Sequence, residues 1–255
     1  MSPIIIFQNA FALLITLLLW GSFLFSSAVL FFFFQVPSYL FSKDHARSFQ
    51  KFTHINLKIF FSVTCLLIPR TKFKIPEEIL QIKSSVVVCN HLSYLDPILL
   101  ISLFKRNCTI VKSTFFRVPF FGWLLKNSHY MPSAASELGG EAMVENLEKI
   151  KEHLGTGGNF FVFPEGTRSR DGKLAAFNKG VFSIARYCNA PLALLYIKNT
   201  NKLFRPGSFL LNTADDIEIE LELIGSLTPD YKSNNFSISA LADEARYIFG
   251  QKTLF

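Results

Sequence analysis

The chain has 255 residues, 50% of them hydrophobic, and carries a net charge of +7. That length and composition can bury a full core and still leave apolar surface over. Cys65, Cys89, Cys108 and Cys188 are scattered, with no CxxC pair and no partnering histidine spacing, which argues against a disulfide framework or a zinc site and fits a reducing compartment.

Residues 1–42 contain no charged side chain, and Ile4 to Leu40 is nearly continuous Ile, Leu, Phe and Ala. A bilayer crossing takes roughly 20 apolar residues, so this run is long for one straight span and short for two. Gly21-Ser22, followed by Ser26-Ser27, suggests a bend between two legs of a hairpin or re-entrant pair. A signal peptide fits poorly, because the basic leading region and the small-residue cleavage site are both missing.

Between residues 43 and 74 stand Lys43, Arg47, Lys51, Lys58, Arg70, Lys72 and Lys74 against Asp44 alone. A pI of about 9.2 would suit a nucleic-acid partner. These cations, however, flank the apolar segment and interleave with Phe49, Phe52, Ile55, Leu57, Ile59 and Phe60. The expected partner is an anionic lipid surface with the helix lying on it, and no nucleic acid is expected. The positive-inside bias places this collar, and the domain after it, in the cytoplasm at the inner face of the membrane. Three units follow: a membrane-embedded helical segment over 1–42, a basic amphipathic membrane-surface segment over 43–75, and an α/β domain over 76–255.

Ser85 to Cys89 is a short β-branched run that reads as a buried strand. Pro97 biases Asp96 away from helical dihedrals and suits the start of a following helix, with Asp96 as its cap. Residues 90–96 are then a loop that can fold the Asp96 carboxylate back onto His91. An aspartate on one ring nitrogen fixes the tautomer and leaves the other nitrogen to accept a proton. A surface loop with one histidine and a capping aspartate is the competing reading. Cys108 to Val111 reads as a second strand, and Glu137 to Leu154 as a helix with Met143, Leu147, Ile150 and Leu154 on one apolar stripe. Gly155 to Gly158 stops that helix and lacks the Lys-Ser/Thr of a phosphate loop.

Phe160 to Phe163 is another buried-strand pattern, and Pro164 ends it. Glu165-Gly166-Thr167-Arg168 forms a tight polar turn at the strand's end, where ligand sites of α/β sheets gather. Arg168 suits phosphate through its planar fork, although a simple surface pair between Glu165 and Arg168 is the alternative. Ala190 to Tyr196 and Ile217 to Leu223 read as strands, and Ser239 to Phe249 as a closing helix. The expected fold is α/β, a mixed central sheet flanked by helices and preceded by the membrane-embedded segment.

Over roughly residues 70–225 the chain resembles the glycerolipid acyltransferases that include lysophosphatidic acid acyltransferases. Four blocks carry the resemblance: Asn90-His91 through Asp96-Pro97, Lys112 through Pro119 and Gly122, Phe163 through Ser169, and Ala190-Pro191-Leu192-Ala193. Phe177-Asn178-Lys179-Gly180 adds to them. The resemblance implies His91 as general base, Asp96 as its orienter, Glu165, Gly166, Thr167 and Arg168 as holders of the acceptor lipid, and Pro191 at the acyl-donor side. It departs where the family carries an arginine for the acceptor phosphate: Ala134 and Ala135 fall there, leaving Lys112 or Lys179 to assist Arg168.

The implied reaction moves a fatty acyl group from acyl-CoA or acyl carrier protein to the free hydroxyl of a lysophospholipid acceptor. The leading acceptor is 1-acyl-glycerol-3-phosphate, and a lyso-aminolipid or head-grouped lysophospholipid is the runner-up. No cofactor or metal is expected. A lipid hydrolase would need an exposed nucleophile, and Ser93 lacks the G-x-S-x-G elbow. A lipid-binding protein without activity is the non-enzymatic alternative.

Overall fold

The computed structural model of the chain describes residues 3–133, 140–169 and 174–253. It opens on one long helical rod. Helix α1 (Pro3–Leu30) runs through a π-helical turn, Phe31–Gln35, into α2 (Val36–Phe41). The bend expected at Gly21-Ser22 is absent. Ser22 Oγ donates to its own helix at Leu19 O (2.8 Å), so the hydroxyl satisfies itself without breaking the rod. Ser26 and Ser27 are spent on a neighbour: Ser26 Oγ donates to Asn56 Oδ1 (2.5 Å) and Asn56 Nδ2 donates to Ser27 Oγ (2.8 Å). The irregularity falls instead just before Pro37, which has no amide to give to the preceding turn.

Ile5–Phe41, 37 residues, is long and apolar enough to cross a membrane. At 1.5 Å per residue it measures about 55 Å, well beyond the roughly 30 Å of a hydrocarbon core. One side of it leans on the rest of the molecule. Ile15 and Leu19 are buried, Thr16 Oγ1 accepts from Leu211 N (3.0 Å), and Trp20 lies 5.5 Å from Phe60 and 6.3 Å from Phe204. The other side leaves Leu13, Leu14, Leu17, Leu18, Leu24, Phe25, Phe32 and Phe33 exposed.

Helix α3 (His45–Leu67) is capped by Asp44, whose carboxylate accepts from Arg47 N (2.9 Å). Three of the apolar residues that interleave with the cations, Phe49, Leu57 and Phe60, pack inside the protein. All three are buried, against α1, Trp123 (4.9 Å from Phe49) and the domain, while Lys43, Arg47, Lys51 and Lys58 stay exposed. An apolar stripe at helical spacing closes equally well on protein or on lipid.

The domain continues through β1 (Thr71–Lys74), α4 (Glu77–Leu80), β2 (Val86–Cys89), α5 (Leu95–Leu103) and β3 (Asn107–Val111). A 3-10 turn, Ser113–Arg117, leads to α6 (Phe121–Asn127), β4 (Met131–Pro132), α7 (Gly140–Gly155) and β5 (Asn159–Val162). It closes with α8 (Lys179–Cys188), β6 (Leu192–Lys198), α9 (Thr200–Leu203), β7 (Ile217–Leu227) and α10 (Ile238–Thr253). Residues 137–139 of the expected helix start lie outside the described residues. In α7, Ile150 and Leu154 are buried but Met143 is exposed.

Among the described residues the strands form one sheet in the order β1-β7-β6-β2-β5-β3-β4, with β6 and β7 antiparallel and every other pair parallel. The mixed α/β fold is therefore as expected. Central β2 and β5 are buried along their whole length, and this follows from their unbroken Val and Phe runs. From β2 the chain passes over β5 to β3, later fills β5, and then crosses to β6 on the other side of β2. The carboxyl ends of β2 and β5 thus flank the switch point where such sheets hold ligands.

Candidate active site

At that edge, β2 runs out into Asn90, a polar residue at the end of an apolar strand. Its side chain acts as a splint: Nδ2 donates to Ile197 O (2.9 Å) and Oδ1 accepts from Ile197 N (2.7 Å). Residues 91–94 then curl before α5, whose first turn holds Asp96. The curl exists because one carboxylate gathers it. Asp96 Oδ2 accepts from Leu92 N (2.6 Å), Ser93 N (2.7 Å) and His91 Nδ1 (2.8 Å). Asp96 Oδ1 accepts from Thr200 Oγ1 (2.5 Å).

Asp96 is fully buried, and these four donors meet the requirement that a buried carboxylate be hydrogen-bonded. Bonded to the carboxylate through Nδ1, the imidazole presents Nε2 outward, and the His91 side chain is 15% exposed. Phe163 stacks on it with centroids 4.2 Å apart.

The turn after β5 is locked to the same loop. Glu165 Oε1 accepts from His91 N (3.2 Å), Glu165 Oε2 accepts from Ala175 N (3.1 Å), and Ser169 N donates to His91 O (2.8 Å). Gly166 sits at φ +69°, a conformation that a side chain would strain, so the turn needs glycine there. Thr167 is exposed beside it. Arg168 does not pair with Glu165. Its guanidinium lies 3.4 Å from the ring centre of Tyr94, and its Nη1 is buried with no hydrogen-bond partner among the described residues. A buried, unpartnered cationic nitrogen is costly unless an anion meets it.

His91, Asp96, Glu165, Gly166, Thr167 and Arg168 are therefore brought together on one edge. Lys112 follows β3 on that edge and is exposed. Lys179 is turned away: its Nζ donates to Ser239 Oγ (2.9 Å) at α10. Pro191 lies at the opposite edge of the sheet, where its carbonyl accepts from Val86 N (2.9 Å) at the start of β2. Ala134 and Ala135 lie outside the described residues.

Sequence reading missed Thr200, Tyr94, Phe163 and the role of Asn90. Only Asn90 had a local signal, as a polar residue ending an apolar strand. Two potential nucleophiles are disarmed. Ser93 is fully buried and its hydroxyl donates to Phe204 O (3.1 Å). Burial first, and then the charges of Asp96 and Glu165, push the Cys89 thiol well up and keep it protonated.

Comparison with known proteins gives a consistent picture. A chloroplastic 1-acyl-sn-glycerol-3-phosphate acyltransferase of Brassica napus is 28% identical over 86% of this chain and 61% of its own length. A chloroplastic 1-acyl-sn-glycerol-3-phosphate acyltransferase of Arabidopsis thaliana is 33% identical over 62% of this chain and 44% of its own. This chain thus spans about half the length of such curated relatives. The crystal structure of the 1-acyl-sn-glycerophosphate (LPA) acyltransferase PlsC from Thermotoga maritima shares the fold, with a TM-score of 0.65 at 21% identity over 93% of this chain and 95% of that one. The acyltransferase family model matches residues 70–198, just over half the chain and the stretch that holds both halves of the site; the chain belongs to that family.

Proposed function

We propose that this protein is a membrane-bound O-acyltransferase that moves a fatty acyl group from a thioester, acyl-CoA or acyl carrier protein, to the free hydroxyl of 1-acyl-glycerol-3-phosphate. The observation that carries the proposal is the His91 Nδ1–Asp96 Oδ2 bond (2.8 Å), which commits Nδ1 and leaves Nε2 as the ring nitrogen that can take a proton, on the edge that also holds Arg168 Nη1. A hydroxyl whose neighbouring phosphate meets Arg168 comes within reach of that nitrogen.

His91 Nε2 takes the hydroxyl proton as the oxygen attacks the thioester carbonyl carbon. The C–O bond forms, a tetrahedral intermediate collapses, and the C–S bond breaks. The departing sulfur receives the proton from His91, which returns the imidazole to its starting state. Asp96, held in place by its four donors, steadies the imidazolium in between. The thioester is already activated, so no acyl-enzyme is required, in keeping with the buried Ser93 and the protonated Cys89. The outward apolar side of α1 holds the protein in the membrane, and the site opens toward the cytoplasm.

The test is to give the purified full-length protein labelled acyl-CoA or acyl carrier protein and a set of lysolipids, then identify the acylated product. Phosphatidic acid formation supports the proposal. Release of free fatty acid without any acylated lipid would overturn it.

A further inference from the structure

The opposite edge of the sheet carries a second cationic site that the transfer reaction does not use. Lys105 and Arg106 stand just before β3, one strand length, about 15 Å, from the catalytic edge. Arg47 and Lys51, four residues apart and so on one face of α3, point at them. The four cations line a cavity of about 360 Å³.

Several features mark this cavity as built for an anion. Like charges converge from two separate elements, an arrangement that repels itself when empty. Asp44 contributes one carboxylate, and it is engaged with Arg47 (3.6 Å). Among the described residues, Lys51 and Lys105 have no ion-pair partner. The Arg106 fork is anchored from behind by Thr156, to which both terminal nitrogens donate. Its Nε is buried with no hydrogen-bond partner among the described residues. The cavity also lies just past the end of the apolar rod, where Leu40 and Phe41 are exposed and Lys43 follows. Cations immediately beyond a membrane-inserted segment sit at headgroup depth.

We propose that this cavity seats the phosphate of an anionic phospholipid headgroup, a contact separate from the acyl acceptor and independent of the transfer chemistry. A lipid is favoured over a soluble anion because the apolar rod delivers the cavity to the lipid surface. The site then fixes how the domain stands on the membrane, with its catalytic edge a set distance from the headgroup layer.

The test uses the full chain and vesicles of phosphatidylcholine with or without phosphatidylglycerol. Lys51→Gln/Lys105→Gln removes two cavity charges. Lys72→Gln/Lys232→Gln removes two exposed charges elsewhere, and Lys51→Arg/Lys105→Arg keeps charge in the cavity. The cavity pair is expected to lose about tenfold of the binding gained from phosphatidylglycerol, with the control pair within about twofold of wild type and the arginine pair retaining the gain. Equal losses in the cavity and control pairs would overturn the proposal in favour of general surface charge. Saturable binding of inorganic phosphate that is undiminished by vesicles would reassign the cavity to a soluble ligand. A loss seen only in acyl carrier protein binding, with vesicle binding unchanged, would reassign it to an acidic protein.

Discussion

Thr200 reaches across 104 residues of sequence to donate its hydroxyl to Asp96 Oδ1 at 2.5 Å, and both side chains are fully buried. The bond ties the start of α9, two residues past the end of β6, to the first turn of α5 and leaves Asp96 Oδ2 free to hold His91 and the two loop amides. Thr200 is thus placed to position His91, the proposed base, through Asp96.

Thr200→Val keeps the shape and removes the donor. A hydrogen bond to a charged group is worth about 1.5–3 kcal/mol, so turnover is expected to fall roughly ten- to a hundredfold with a modest loss of thermal stability. Thr200→Ser is expected to recover most of the rate. Steady-state kinetics with thermal melts on both variants check this, and an unchanged kcat in Thr200→Val would remove Thr200 from the site.

Arg168 is expected to act on the acceptor alone. Arg168→Gln should raise KM for lysophosphatidic acid by one to two decades, the worth of a lost charge-assisted bond, and leave KM for the acyl donor within about twofold. Tyr94→Leu, which takes away the ring under the guanidinium, should do the same more weakly, about three- to tenfold. Varying each substrate separately measures both effects.

Positions 134 and 135 carry Ala and no arginine, so under the proposed function a bare phosphate would lean on Arg168. Ala135→Arg is therefore expected to lower KM for lysophosphatidic acid by about tenfold and to change little for head-grouped lysolipids. If wild type already prefers lysophosphatidic acid several hundredfold by kcat/KM, another residue makes that contact.

How much of this was legible in the sequence differs from place to place, for physical reasons. The strand ending at Cys89 and the loop from Asn90 are local, and a β-branched run broken by polar residues marks them; the helix start was misplaced, because α5 begins at Leu95, two residues before Pro97, and Asp96 sits inside its first turn instead of capping it. Thr200 belongs to no local pattern. It matters only because β6 lies beside β2, a pairing that sequence spacing does not encode. Which edge of the sheet a residue occupies depends on strand direction, so the sequence did not show that Pro191 and His91 sit at opposite ends of β2. The apolar stripe of α3 was visible, but protein and lipid make the same demand on such a stripe. Gly21-Ser22 suggested a bend, whereas in an apolar helix a serine can bond its own preceding carbonyl and leave the rod intact.

Reactivity of the thiols separates the proposed chemistry from a covalent route. Burial and two neighbouring carboxylates hold the Cys89 thiol well above its ordinary range, so at neutral pH no thiolate is present to react. N-ethylmaleimide at pH 7 is expected to leave Cys89 unlabelled in the folded protein, while exposed Cys65 labels first. Peptide mapping after alkylation reads this directly. Inactivation that tracks Cys89 labelling would point to a thiol intermediate.

The most direct measurement is acyl transfer by full-length His91→Ala, with labelled acyl-CoA and lysophosphatidic acid, beside a thermal melt of the same preparation. General-base assistance is worth about a hundred- to ten-thousandfold, so the rate should fall by at least the lower figure while the melting temperature and membrane attachment stay near wild type. A folded His91→Ala variant that keeps more than about a tenth of the wild-type rate would contradict the assignment of His91 as the base.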